Sequence, residues 1–227
     1  MDMPREEQGV AAVERALSIL SAWRAGEAAL PLAELATRTG LYKSTILRLL
    51  ASLERFRCVQ RRPDGQWALG PMLFRWGMLY QRGLNLDAII PPVLHDLTDR
   101  TGESATFWVR EGDRRLCFFR SDSPRPVRDH LHPGELLPLD RGAGGRVLLA
   151  FAAGSGAAGE RVVVTLGERD PEMAAVAAPV FGSGGALAGA LALSGPRLRM
   201  EPLLERLKPV VAEAASILTR RLGGDLG

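Results

Sequence analysis

Apolar positions in residues 10–24, VAAVERALSILSAWR, recur at a period of about 3.6. They predict an amphipathic helix with Val13, Ala16, Leu17, Leu20 and Trp23 or Arg24 on its inner face. Gly26 ends it. Residues 32–39, LAELATRT, predict a short second helix with Leu32, Leu35 and Ala36 turned inward. Gly40 follows, where a chain leaving a helix commonly takes positive φ. From Leu41 to Phe56 a third helix opens with Ser44 at its N-cap or in its first turn, and carries Ile46, Leu49, Leu50 and Leu53 as one apolar stripe. A short helix, a glycine turn and a longer basic helix make the helix-turn-helix pattern.

RCVQRRPDGQWALG then alternates as two short strands around Pro63-Asp64-Gly65, a tight-turn sequence. A hairpin directly after the third helix makes the unit winged and sets Arg61 and Arg62 at the tip. Gly70-Pro71 closes it. Residues 72–84, MLFRWGMLYQRGL, predict a helix apolar on most sides through Leu73, Trp76, Met78, Leu79 and Tyr80. Such a helix must be buried, and a partner chain is the economical cover. Another helix, Leu86 to Arg100, is entered around Pro91-Pro92.

Beyond Gly102 the pattern changes to strands. ESATFWVREGDRRLCFFRSD predicts a hairpin turning at Glu111-Gly112-Asp113, and a Pro- and Arg-rich loop follows. Leu136 to Leu139 is short and extended, and Gly142-Ala143-Gly144-Gly145 leads into a short helix, RVLLAFAA. GSGAAG is a connector. Three apolar runs of strand length, RVVVTLG, VAAPVFG and ALAGALALSG, precede a last amphipathic helix interrupted near Pro209. The mixed order indicates an α+β second domain. The expected organisation is a winged helix-turn-helix at 1–70, a linker helix at 71–85 and an α+β domain at 86–227.

With 46% hydrophobic and 24% charged residues, the composition is that of a soluble globular protein. The N-terminal MDMPREEQG lacks the apolar core of a secretory signal, and no run is long enough for a membrane span. Cys58 and Cys117 match no disulfide or metal framework, so a reduced cytoplasm is expected. The net charge of +3 is uninformative, but its distribution is not: Arg38, Lys43, Arg48, Arg55, Arg57, Arg61 and Arg62 face a single acid, Glu54, between positions 38 and 62. A short positive segment on a helix-turn-helix is the footprint of phosphate-backbone binding.

Base reading falls to side chains near the N-terminus of the third helix: Tyr42, Lys43, Ser44, Thr45 and Arg48. Lys43 and Arg48 carry donors suited to guanine. Arg38, Arg55, Arg61 and Arg62 are placed as phosphate clamps on double-stranded DNA. No catalytic constellation is legible, because His95 has no Ser or Cys nucleophile nearby in sequence. His130-x-His132 is at most half a metal site, and no cofactor motif occurs. The Gly142–Gly145 run fits either a backbone-amide cradle for a small carboxylate or a plain tight turn.

VERALSIL, LAELATRTGLYKSTILRLLASLE, the Trp67-Ala68-Leu69-Gly70 end of the hairpin, LPLDRGAGGRVLLA, GERDPEMAAVAAPVF and LALSGP together resemble the IclR family of bacterial transcription regulators. The resemblance covers nearly the whole chain. It implies a linker helix used in dimerisation, a GAF-like effector domain, and a homodimer or tetramer on a palindromic operator. It also implies an effector cavity holding the amides of Ala143 and Gly144, with Thr165, Ala175, Ala192 and Ser194. Relatives that bind small 2-oxo acids carry polar residues at 175 and 192 and Asp at 165. The exchanges here imply an aromatic or largely apolar carboxylate. The loop DRGAGGR lacks the first His and the Lys of the family's HATALGK-like run, and 150–161 is shorter by one or two helices. The chain is expected to be an effector-controlled regulator and not an enzyme. The alternative is a constitutive DNA-binding protein whose sensor domain only mediates oligomerisation.

Overall fold

Apolar side chains from three helices and one hairpin form the core of the first of two units, 1–84 and 85–227. A computed structural model describes residues 9–24, 26–84, 86–154 and 160–224. Helix α1 spans Ala11–Leu20, α2 Leu32–Thr39 and α3 Lys43–Arg55. Ile19, Leu35, Ile46 and Leu50 are fully buried where the three meet, beside Leu30, Val59 and Trp67. The inner face of α1 differs from expectation: Val13 and Leu17 are exposed, while Ile19 is buried with Ala16 and Leu20 half-buried beside it. Two apolar stripes lie side by side on this helix, and their spacing alone does not say which one meets α2 and α3.

Gly40 caps α2 at φ 69°, and its N–H donates to the Ala36 carbonyl at 2.9 Å. Tyr42, not Ser44, is the N-cap of α3, and Ser44 sits in the first turn. Arg57 adopts φ 59°, letting the Cys58 N–H reach the Leu53 carbonyl at 2.9 Å and turning the chain into the hairpin. Strands β1 (Val59–Arg61) and β2 (Trp67–Leu69) pair antiparallel. Leu30 exchanges two 2.8 Å backbone bonds with Trp67, a third edge that one residue between two helices does not signal. Helix α4, Pro71–Leu84, leaves Phe74, Trp76 and Leu79 exposed.

The second unit opens with a 3₁₀ turn at Leu86–Ala88 and helix α5, Ile90–Thr101. Pro91 and Pro92 lie in the first turn of α5, where a missing N–H costs no helical bond. Strands β3 (Ser104–Glu111), β4 (Arg114–Ser121) and β5 (Leu136–Pro138), helix α6 (Gly142–Ala150), then β6 (Val163–Leu166), β7 (Met173–Phe181) and β8 (Leu187–Pro196) follow. They make one antiparallel sheet in the order β5-β4-β3-β8-β7-β6. A short α7, Arg197–Met200, leads to α8, Leu204–Arg221. Helix α8 is continuous through Pro209, contrary to the predicted interruption; Pro209 is exposed, so the carbonyl it leaves unbonded can face water. The GSGAAG connector lies largely at 155–159, outside the described residues.

The sheet is asymmetric in side-chain size. Its face toward α5 and α8 carries Phe107, Val176, Val180, Leu191 and Leu193. Its face toward α6 carries Ala175, Ala177, Ala190 and Ala192 with Trp108 and Cys117. Alternation along each strand produces this split, and the alanines leave a hollow under α6. Gly189 sits on β8 beside β3: a Cβ there would meet the Trp108 carbonyl oxygen and Phe107 Cζ, both at 2.5 Å. Gly189→Ala is therefore expected to destabilise the protein by about 1–3 kcal/mol in chemical denaturation. Gly182→Ala, whose Cβ would meet neighbours at 3.8 Å or more, should change little.

Candidate nucleic-acid interface and ligand cavity

Burial of Ile46, Leu50 and, in part, Leu53 orients α3. The opposite face then presents Ser44, Arg48, Ala51 and Arg55, all exposed and spaced as neighbouring turns. Tyr42 and Lys43 are exposed at the N-terminal end, and Thr45 is half-buried. A shallow groove between α1 and α3, lined by Arg15, Thr45, Arg48 and Ser52, adds a basic residue missed in the sequence because Arg15 belongs to a different helix. Arg61 and Arg62 are exposed on the hairpin. Arg61 stacks over Trp67 with 5.9 Å to the ring centroid, and Arg62 lies 3.8 Å from Asp64.

Arg38 does not belong with these residues. Its guanidinium bonds Glu27 through Nη1 at 2.6 Å and Nη2 at 2.8 Å, Glu34 through Nε at 2.6 Å, and the Ala22 carbonyl at 2.8 Å. A guanidinium committed to two carboxylates has no charge left for a phosphate, so its assignment as a clamp is corrected. Arg38 instead braces α2 against the end of α1. Hydrogen bonding to Arg38 lowers the Glu27 carboxyl from 4.5 to about 2. The contribution of this pair is thus complete above pH 4.5 and lost as pH falls toward 2.

In the second unit all six residues expected around an effector, Ala143, Gly144, Thr165, Ala175, Ala192 and Ser194, line one cavity of about 40 Å³ under α6. Several of their polar groups are already engaged. The Ala143 amide donates to Thr165 Oγ1 at 3.0 Å, and the Gly142 amide to Glu168 Oε2 at 3.0 Å. The Ser194 hydroxyl donates to Asp129 Oδ2 at 3.0 Å. The Ala143 amide is therefore not an open cradle.

The cavity is also not apolar, as the exchanges at 165, 175 and 192 suggested. Arg115, Asp129, Glu168 and Arg169 line it; Arg115 and Asp129 come from segments outside the quoted motifs, and Glu168 and Arg169 stand near the start of GERDPEMAAVAAPVF. Asp129 pairs with Arg169 at 2.5 Å, and Glu168 with Arg146 at 2.6 Å. Arg115 is 4% exposed and no carboxylate pairs with it among the described residues. Its Nη1 reaches only the Gly142 carbonyl, at 3.5 Å, and its Nε has no partner. The guanidinium lies over the Trp108 ring, 4.5 Å from the centroid. Burial, followed by the nearby Arg169 charge, pushes it down to about 10.

The glycine run of α6 now has a steric reason. A Cβ on Gly144 would meet Trp108 Cδ1 at 2.8 Å, and one on Gly145 would meet Arg115 Nη1 at 3.2 Å as well as the Leu139 carbonyl. The residues that fill this space are on β3 and β4, so the run is neither a simple cradle nor a simple turn.

No other chemistry assembles among the described residues. His130 and His132 are exposed, and no three His, Cys, Asp or Glu side chains converge among the described residues. Burial pushes the Cys117 thiol up to about 12. No helix among the described residues is long and apolar enough to cross a membrane.

A winged helix carrying an exposed basic face, in one chain with an α+β effector-binding domain, defines a DNA-binding transcription regulator. The family model described as IclR helix-turn-helix domain matches residues 12–63, and that described as bacterial transcriptional regulator IclR C-terminal matches residues 78–158. The chain belongs to the IclR family of bacterial transcriptional regulators. It is 29% identical to the HTH-type transcriptional regulator BhcR of Paracoccus denitrificans over 93% of this chain and 87% of that protein. Its fold matches an IclR transcriptional regulator of Alicyclobacillus acidocaldarius with a TM-score of 0.81 and 24% identity, covering 96% of this chain and 100% of the other. It also matches an IclR homologue of Microbacterium hydrocarbonoxydans solved in complex with 4-hydroxybenzoate, with a TM-score of 0.79 and 19% identity over 93% and 99% of the two chains. The relatives are named as transcriptional regulators, and the chain is a regulator and not an enzyme.

Removing the Arg38 side chain should act on stability and not on DNA. Arg38→Ala is expected to lower the thermal midpoint and to abolish the acid sensitivity assigned to Glu27. The slope of log affinity for nonspecific DNA against log salt should stay unchanged, because no phosphate contact is lost. A reduced slope in a folded variant would return Arg38 to the interface.

Proposed function

We propose that the protein is a dimeric, effector-controlled regulator that reads a palindromic operator with α3 and clamps the backbone with its hairpin. The observation that carries this reading is the exposed face of α3, where Ser44, Arg48 and Arg55 stand opposite the buried stripe. Lys43, Ser44 and Arg48 are placed to meet base edges, with Tyr42 and Thr45 beside them, while Arg55, Arg61 and Arg62 meet phosphates. Arg48→Ala should weaken operator binding by roughly 1–3 kcal/mol and relax sequence discrimination. Arg62→Ala should weaken all DNA alike and reduce the salt slope by about one. Titrations of specific and random duplexes at several salt concentrations check both. An unchanged specific-to-nonspecific ratio in Arg48→Ala would remove that residue from base reading.

Dimerisation is supported by α4, which leaves Phe74 at 74%, Trp76 at 49% and Leu79 at 56% exposure. Burying each such side chain contributes on the order of 1.5–3 kcal/mol, and two-fold symmetry in the protein is mirrored by symmetry in the site. Light scattering at micromolar concentration should give twice the 24.5 kDa chain mass. Trp76→Ser with Leu79→Ser should return one chain mass and a half-site footprint.

Effector control is supported by the cavity, which suits a small carboxylate, and by the homologue that holds 4-hydroxybenzoate, which speaks for an aromatic one. One observation favours the second reading, a sensor unit that only assembles the protein: the Ala143 amide and the Ser194 hydroxyl are internally satisfied. A ligand-induced rise in thermal midpoint separates the two readings.

A further inference from the structure

We propose that Arg115 is the charge-selecting residue of the cavity: it holds the single negative charge of a short carboxylate, while Asp129 and Glu168 exclude a second. This inference rests on the effector-controlled reading and narrows its ligand.

Three observations converge on it. Arg115 is the one ionised cavity residue without an opposite charge among the described residues, since Asp129 pairs with Arg169 and Glu168 with Arg146. Its Nε is buried without an acceptor, so a carboxylate gains a bond at the cost of none already present. Its Nη atoms would lie 3.1–3.4 Å from Cβ atoms built on Gly142, Gly144 and Gly145, so a second positive source, the first turn of the nine-residue helix α6, faces the same space. A buried charge left unpaired is costly, and a bound anion relieves that cost.

Size and charge limit the ligand further. At about 10–15 Å³ for each water, a cavity of about 40 Å³ holds about three, the room of a carboxylate with a very short tail over Ala175 and Ala192. A benzene ring does not fit without movement of the walls. A second carboxylate, or the second charge of inorganic phosphate, would meet Asp129 or Glu168.

Calorimetry on the full chain with glycolate, malonate, 4-hydroxybenzoate and inorganic phosphate tests this, using wild type, Arg115→Lys and Arg115→Met, with folding checked by circular dichroism. Glycolate should bind wild type. Lys should weaken it by about tenfold, because the planar fork is lost, and Met by on the order of 100-fold. Malonate, phosphate and 4-hydroxybenzoate should each bind at least about tenfold more weakly than glycolate.

If Arg115→Met does not fold, wild type alone decides. At neutral pH, where the guanidinium is charged, glycolate should bind wild type at least about tenfold more tightly than malonate, phosphate or 4-hydroxybenzoate. The groups facing the guanidinium are Cys117 on β4, Asp129 in the long loop, and Glu168 and Arg169 after β6. Equal binding to wild type and Met, preference for malonate, phosphate or 4-hydroxybenzoate, or no heat with any probe would overturn the assignment. Operator binding by wild type is scored separately, so the regulator reading can stand when this one falls.

Discussion

A guanidinium buried against the first turn of a helix, with no carboxylate bonded to it among the described residues, is the constraint around which the second unit is arranged. Arg115 and the Trp108 ring beneath it fill the space that Cβ atoms on Gly144 and Gly145 would need, which accounts for the glycine run. The alanines at 175, 177, 190 and 192 keep the α6 face of the sheet shallow enough for a hollow beside that guanidinium. The neighbouring acids Asp129 and Glu168 are paired with other arginines, so neither bonds the guanidinium directly. Sheet, helix and loop thus converge on one electrostatic imbalance, which the proposed anion would resolve.

The first unit uses arginine in two opposite ways. Arg38 is neutralised by Glu27 and Glu34 and works as a brace. Arg48 and Arg55 stand on a helix face, form no ion pair among the described residues although Glu54 adjoins Arg55 in sequence, and stay open to solvent. The difference lies in what the neighbouring turns offer: Glu34 is one helical turn from Arg38, and Glu27 is brought close by the chain entering α2. Positive charge is thereby kept on α3 and the hairpin, where a phosphate backbone would meet it.

Local pattern made the helices, the hairpin and the α+β class legible, because periods of about 3.6 and 2 follow from backbone geometry. The inner face of α1 was not legible, since Val13 and Leu17 read as well as Ile19 until α2 and α3 are placed. The six cavity positions carried by motif likeness did gather around one hollow. Its charges did not show, because Arg115, Asp129 and Arg169 become neighbours only through the sheet. Sequence also could not tell Arg38 from Arg48, as the distinction is a contact with Glu27 eleven residues away.

The account joins two sites in one regulator, and thermodynamic reciprocity tests that directly. If a carboxylate on Arg115 changes operator affinity, saturating operator must change carboxylate affinity by the same factor. Calorimetric titration of glycolate into the full chain, free and bound to its operator duplex, measures it. The account predicts affinities that differ by about fivefold or more. Equal affinities in both states would show that the cavity and the DNA-binding face are not coupled.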